Sequence, residues 1–459
     1  MSSVKFNKLK LTNVSIVTSD VITVLAAINQ NQKLIASDNQ LGDEFGHALD
    51  INSSGNTIIV GAHQEDTGGT GAGSSYIFTK NSSDIWSERQ KIQASDKQSG
   101  DIFGYSVAID GLGNTTVIGA HRENTGGSNA GAAYVFTKNS SDIWSEKQKL
   151  LSSDIQAYDF FGYSVAVNSE GNTAVIGANH EDTGGVDAGA AYIFTKNSSD
   201  IWSQRQKIQA SDKQASDFFG DSVAINSAGT LAIIGAASED TGGTDAGAVY
   251  VFTKNSSDIW SERQKLLSSD LQAGDQFGIS LDINAAGNIA IIGASYEDTG
   301  ATSAGSSYIF TKNASDIWNE SQKIQASDIL AQSHFGSSVS INDIGDMVVI
   351  GAFDKDQIST LNAGAVYIFT KNSSDVWNQY QKLQASDFST NNYFGIDVCI
   401  DSVGANILAG ANGNSSDAGA AYFFKSNFSD TPIGGVLYNT VVTNEVFVMK
   451  SDSTLRIKL

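Results

Sequence analysis

The chain has 459 residues, 40% of them hydrophobic and only 17% charged, with 45 glycines and a single proline, a composition of short strands and tight turns rather than of long helices or a disordered chain. Its formal net charge of −22 excludes nucleic acid as a partner, since phosphate demands Lys and Arg, and argues against anionic membrane surfaces. One cysteine, Cys399, excludes an internal disulfide, and no run reaches the apolar length of a membrane span.

In chain order, residues 1–28 read as an N-terminal appendage. Their apolar stretch at 21–28 is short, follows Asp20 and lacks the pattern of a signal peptide. Gln32-Lys33-Leu34-Ile35-Ala36-Ser37-Asp38 comes next, then Phe45-Gly46. Phe-Gly recurs at Phe103-Gly104, Phe161-Gly162, Phe219-Gly220, Phe277-Gly278, Phe335-Gly336 and Phe394-Gly395, at intervals of 58 residues and, once, 59. Seven such units are the first thing to explain. The second predicts four strands, at 103–109, 115–120, 132–137 and 144–150. Turn signals separate them: Gly111-Leu112-Gly113-Asn114, Thr125-Gly126-Gly127 and Asn139-Ser140-Ser141-Asp142. Alternation in the first strand puts Phe103, Tyr105, Val107 and Ile109 on one face and Gly104, Ser106 and Ala108 on the other. Four antiparallel strands in each of seven units predict an all-β, seven-bladed β-propeller over 29–430. Unit seven lacks its fourth strand. The segment at 32–38 matches the missing piece, so the N-terminal strand is expected to complete the last blade. Residues 431–459 are expected to be a β-rich tail.

The unit FGYSVAI…GNTTVIGA…GAAYVF resembles the FG-GAP repeat of integrin α-subunit heads, over residues 32 to about 425. The resemblance implies a recognition or adhesion module. Two departures stand out. Gly61-Ala62 is followed by His63, Gly119-Ala120 by His121 and Gly177-Ala178 by Asn179, never by Pro. The calcium loop that integrin-type blades often carry between strands one and two reads here Asp50-Ile51-Asn52-Ser53-Ser54-Gly55-Asn56-Thr57-Ile58 without its closing carboxylate. Ala108, Ala166 and Ala224 stand at its first ligand position in the next three units. A hard cation needs six to eight oxygens, so these loops are expected to be plain hairpin turns.

Carboxylates concentrate in the loops from strand four to strand one and from strand two to strand three, which share one face of a propeller. The expected binding residues are Asp96, Asp101, Glu123, Asp154, Asp159, Glu181, Asp182, Asp212, Asp217, Glu239 and Asp240, opposed within the loops only by Lys97, Arg122, Lys213 and Lys355. A face of one sign steers a basic partner, and such clusters can hold calcium weakly. No other cofactor is expected. Acidic loops also serve solubility alone. Asn-x-Ser at Asn81, Asn139, Asn197, Asn255, Asn313 and Asn372 reads as turn chemistry, and Trp86, Trp144, Trp202, Trp260, Trp318 and Trp377 as packing. His47, His63, His121, His180 and His334 belong to no catalytic motif. The expected function is therefore non-enzymatic recognition or adhesion toward a protein or glycan partner, extracellular or virion-associated. The alternative is a structural or surface component of a virion or other large particle, which the terminal segment weakly resembles. An enzyme on a propeller scaffold ranks third.

Overall fold

The computed structural model describes residues 27–357, 360–426, 446–449 and 455–458. Its ring spans Asn29–Lys425 and consists of seven antiparallel sheets of four strands each. In blade two the strands run Ser106–Ile109, Thr115–Ala120, Ala132–Lys138 and Trp144–Leu150 from the centre outward. Thr115–Ala120 is buried at every position because blades cover both of its faces. The outer strand opens on buried Trp144, closes on buried Leu150 and exposes Ser145 and Lys147 between them. A bulge between Val135 and Phe136, repeated in the other Trp-bearing blades, sets the twist of the outer strand.

The first strand is shorter than its alternation predicts. Ile102 and Gly104 both have left-handed backbone, φ 52° and 92°, so the Phe-Gly pair is a turn and regular pairing begins at Ser106. Phe103 forms a lone parallel bridge to Gly73 of the preceding blade. Its ring is buried edge-on to Tyr134, at 5.5 Å between centroids. Tyr105, expected on the same face as Phe103, turns away to the end of the central channel. The turn explains the sequence pair. The Gly104 carbonyl lies where a Cβ on Gly61 of the preceding blade would stand, so only glycine fits there, and Gly410 against Gly46 repeats the contact across the closure.

The last blade is completed from the N-terminus. Asn29–Leu34 pairs antiparallel with Ala420–Lys425, in the sheet that also holds Asn406–Ala411 and Val398–Ile400. The Gln32 side-chain amide accepts from Trp86 N–H at 2.9 Å and donates to Trp86 C=O at 2.8 Å, as Gln90 does with Trp144 and Gln148 with Trp202. One rung outward, Gln30 holds the Ser386 backbone N–H, as Glu146 holds that of Ser95. The seam between blades seven and one therefore uses the same Gln–Trp bonds as the junctions from blade one through blade six.

The hairpins between strands one and two are Asx-type turns. The Asn52 carboxamide oxygen accepts from Asn56 and Thr57 N–H, and the Asp110 carboxylate from Asn114 N–H. On the same end of the blades Asn139 bonds Ser141 and Ile143 N–H. The six tryptophans are buried; Trp86 packs edge-on to Phe423 of the last blade. The expectations for 1–28 and 431–459 fall largely outside the described residues; of the tail, Val446–Met449 and Leu455–Lys458 are described and pair antiparallel.

Candidate binding face

The acidic loops are built around one repeated lysine. In blade two Lys149, from the outer strand, reaches Asp96 at 2.7 Å, Glu123 at 2.9 Å and the Thr125 hydroxyl at 2.8 Å, and lies 5.5 Å above the Tyr134 ring. The Tyr134 hydroxyl donates to the other Asp96 oxygen at 2.8 Å. Burial works against the Asp96 charge, but Lys149 and Tyr134 more than offset it and hold the carboxyl below its ordinary range. Lys207 ties Asp154 to Glu181, and Lys265 ties Asp212 to Glu239. In blade seven Lys33 takes Asp387 and the Asn414 carboxamide. The loop lysines and Arg122 are thus not the only cations on this face. A lysine at the end of each outer strand opposes the acid.

These latches sort the expected site residues. Glu123, Glu181 and Glu239 are buried, each bonded to the threonine two residues on. Asp101, Asp159 and Asp217 are also buried and accept the backbone N–H of Gln98, Gln156 and Gln214. Burial pushes all three up to about 6. Asp182 and Asp240 are exposed and cap their own loops through Asp187 and Asp245 N–H. Asp96 and Asp212 are exposed and Asp154 is half-buried. The accessible charge is therefore an outer ring, and the inner carboxylates fix loop shape.

Inside that ring, at the end of the channel, the blades stop being alike. The residue before Phe-Gly is Glu44, Ile102, Phe160, Phe218, Gln276, His334 and Tyr393 in turn. The residue after it is His47, Tyr105, Tyr163, Asp221, Ile279, Ser337 and Ile396. The residue after Gly-Ala is His63, His121, Asn179, Ala237, Ser295, Phe353 and Asn412. Turns on either side bring these columns together. His47 stacks near His63 at 4.2 Å and Tyr105 at 4.9 Å. Tyr105 meets His121 at 4.2 Å and Tyr163 at 5.3 Å, and His121, Phe160, His180 and Phe218 continue the arc. Tyr296, His334, Phe353 and Tyr393 form a second arc. Burial pushes His47 down to about 4 and His121 to about 3, so both rings are neutral at pH 7. Asp221 sits beneath, pushed up to about 7 by burial and accepting from the Asn179 amide at 2.6 Å. Deeper in the channel, Asp50, Asp282 and Asp397 accept the backbone N–H of Ile109, Ile341 and Leu49 in the next blade.

His63 and His121 hold equivalent positions in neighbouring units and belong to no catalytic motif, so neither marks a site when the units are taken one at a time. Aligning the seven units column by column is the signal that finds it.

Invariant blades around a variable, aromatic-rich mouth define a seven-bladed β-propeller, a scaffold of the binding or adhesion type. The FG-GAP repeat matches residues 28–78, 86–136, 144–194, 202–252, 260–310, 318–369 and 377–424. The chain belongs to the FG-GAP repeat family, which is typically non-enzymatic. No curated protein matches the chain.

Proposed function

We propose that this protein is a non-enzymatic recognition propeller whose partner docks on the acidic face, over the channel mouth. One observation carries the reading. Three columns that differ from blade to blade meet at that mouth, where their rings and polar groups lie against one another; the hairpins at the other end of the blades also vary, but no comparable set of side-chain contacts joins them among the described residues. A scaffold needs seven like blades; a specific site needs them to differ at one place. The mouth offers flat aromatic faces, neutral imidazoles and buried polar groups, inside an outer ring of exposed carboxylates such as Asp182 and Asp240. That combination suits a protein or glycan partner bearing cationic groups: aromatic faces stack on sugar or side-chain apolar surface, and the ring of acid steers the approach.

The test is a binding screen of the whole protein on glycan arrays and cell surfaces, repeated with Tyr105→Ala/Tyr163→Ala and with Asp182→Asn/Asp240→Asn. Hits should be lost in the first variant and weakened, with less dependence on salt, in the second, while thermal unfolding changes little. Hits that survive both variants unchanged would place the docking surface elsewhere.

A further inference from the structure

At the edge of the mouth, Glu44, His47 and His63 come together although they lie on two different loops of blade one. A carboxylate oxygen of Glu44 and one ring nitrogen from each histidine all lie within 4.8 Å of one another. His63 Nε2 is 3.6 Å from the Glu44 carboxylate. Three features mark this cluster, the first of them shared with His121, whose Nδ1 is likewise buried without a partner. The Nδ1 atoms of His47 and His63 are both buried with no hydrogen-bond partner, and His63 is only 5% exposed. A buried polar atom left unpaired costs on the order of 1–3 kcal/mol, so two side by side call for a partner. The Asn412 amide nitrogen donates to Glu44 at 3.2 Å, while its own carbonyl oxygen is a further buried atom without a partner. Glu44 is held in place by a left-handed backbone, φ 56°, whose N–H donates to Asp417 C=O at 2.8 Å.

We propose that Glu44, His47 and His63 bind one transition-metal ion of the zinc class, with the Asn412 carboxamide orienting the Glu44 carboxylate. Two neutral imidazoles and one carboxylate are a nitrogen-rich, borderline-soft set that fits zinc and not calcium or magnesium, which take oxygen ligands. Zinc at about 2.1 Å from each donor spaces tetrahedral ligands about 3.4 Å apart, so the donors close on the ion with side-chain rotations of roughly an ångström. Three protein ligands leave a fourth position for water or for a donor from a bound molecule. His47 lines the open channel end, so that position has solvent beside it. The three do not recur together in another blade: blade two keeps the histidine, His121, but has Ile102 and Tyr105 where Glu44 and His47 stand, so a single ion is expected per chain.

Titration of the full-length, untagged protein with Zn2+ by calorimetry, and with Co2+ followed by visible absorption, tests the assignment. One ion should bind, and Co2+ should give the intense visible bands of a low-symmetry four-coordinate site. Glu44→Gln, His47→Asn and His63→Asn should each weaken Zn2+ binding at least tenfold. His121→Asn, which alters the equivalent mouth position in blade two, should leave it unchanged. Each variant is first shown to be folded by thermal unfolding; where one is not, Asn412→Ala, which keeps all three ligands, should still weaken binding several-fold. The proposal is overturned if the native protein takes up no zinc, or if folded variants of all three ligands bind it as tightly as the parent. It concerns the ion alone and holds whether or not the partner docks at the mouth.

Discussion

Lys149 shows how one side chain organises a loop. It neutralises Glu123, which is buried, and Asp96, which is not. Removing the cation leaves a buried carboxylate without its ion partner, a loss well above that of a surface pair. Lys149→Met is expected to lower stability by about 2–3 kcal/mol in urea denaturation at pH 7. Adding Glu123→Gln should recover much of it, because the amide no longer carries a charge into the interior. A double variant no more stable than the single one would mean that Lys149 acts by packing on Tyr134 instead. Asp101, Asp159 and Asp217 carry a different consequence. Their folded pKa values, about 6, lie above that of an unfolded aspartate near 3.9, so the folded state holds these protons more tightly. Their contribution to stability therefore falls as pH rises from about 4 to about 6. His47 and His121 act in the opposite sense, because the unfolded chain takes up their protons as pH drops below about 6.5. Replacing all three aspartates with Asn should remove that fall, so that the stability of the variant relative to the parent rises as pH goes from about 4 to about 6, the histidine contribution being common to both. Asn392 occupies the same position in blade seven, where its Oδ1 accepts from the Asn414 amide. An unchanged difference in stability between parent and variant from pH 4 to pH 6 would show that burial does not hold these protons.

At the scale of the strand and the blade, the seam should be as strong as any junction. Gln32→Ala breaks the bonds to Trp86, and Gln148→Ala breaks those to Trp202. Each is expected to cost about 1–2 kcal/mol, and by similar amounts. Deleting residues 1–38 removes the whole outer strand of blade seven and should lower the midpoint of thermal unfolding far more; an unchanged midpoint would show that this strand does not close the ring. This closure was legible in the sequence because 32–38 matches the segment that unit seven lacks. The start of the inner strand was not: alternation from Phe103 to Ile109 looks unbroken, and nothing local announces that Ile102 adopts a left-handed backbone. The latches were hidden for another reason. Lys149, Glu123 and Asp96 meet only after two loops converge on the end of an outer strand, so composition shows the acid of the face without the lysines that answer it. The mouth was hidden by attention to what the repeats share, since His63 and Tyr105 carry information only as departures from their columns.

Across the whole molecule, the excess acid destabilises the compact state through self-repulsion, and the partly buried latches are shielded from solvent ions. Raising sodium chloride from about 0.01 M to about 0.3 M should therefore raise the unfolding midpoint; a falling midpoint would mean that exposed ion pairs dominate. The bonds from Gln90 to Trp144 and from Gln32 to Trp86 have a direction: the outer strand of one blade reaches for the tryptophan that opens the outer strand of the next. Such head-to-tail joints close only when the turn per unit divides the circle. Near-identical repeats invite unequal recombination in the gene, which would add or drop a unit at little cost to any single joint. The geometry then acts as the filter, because a chain of six or eight such blades keeps every local bond and still cannot bring Asn29 to Lys425 at the same angle. A change of copy number would therefore show as a failure of ring closure and not of any single joint.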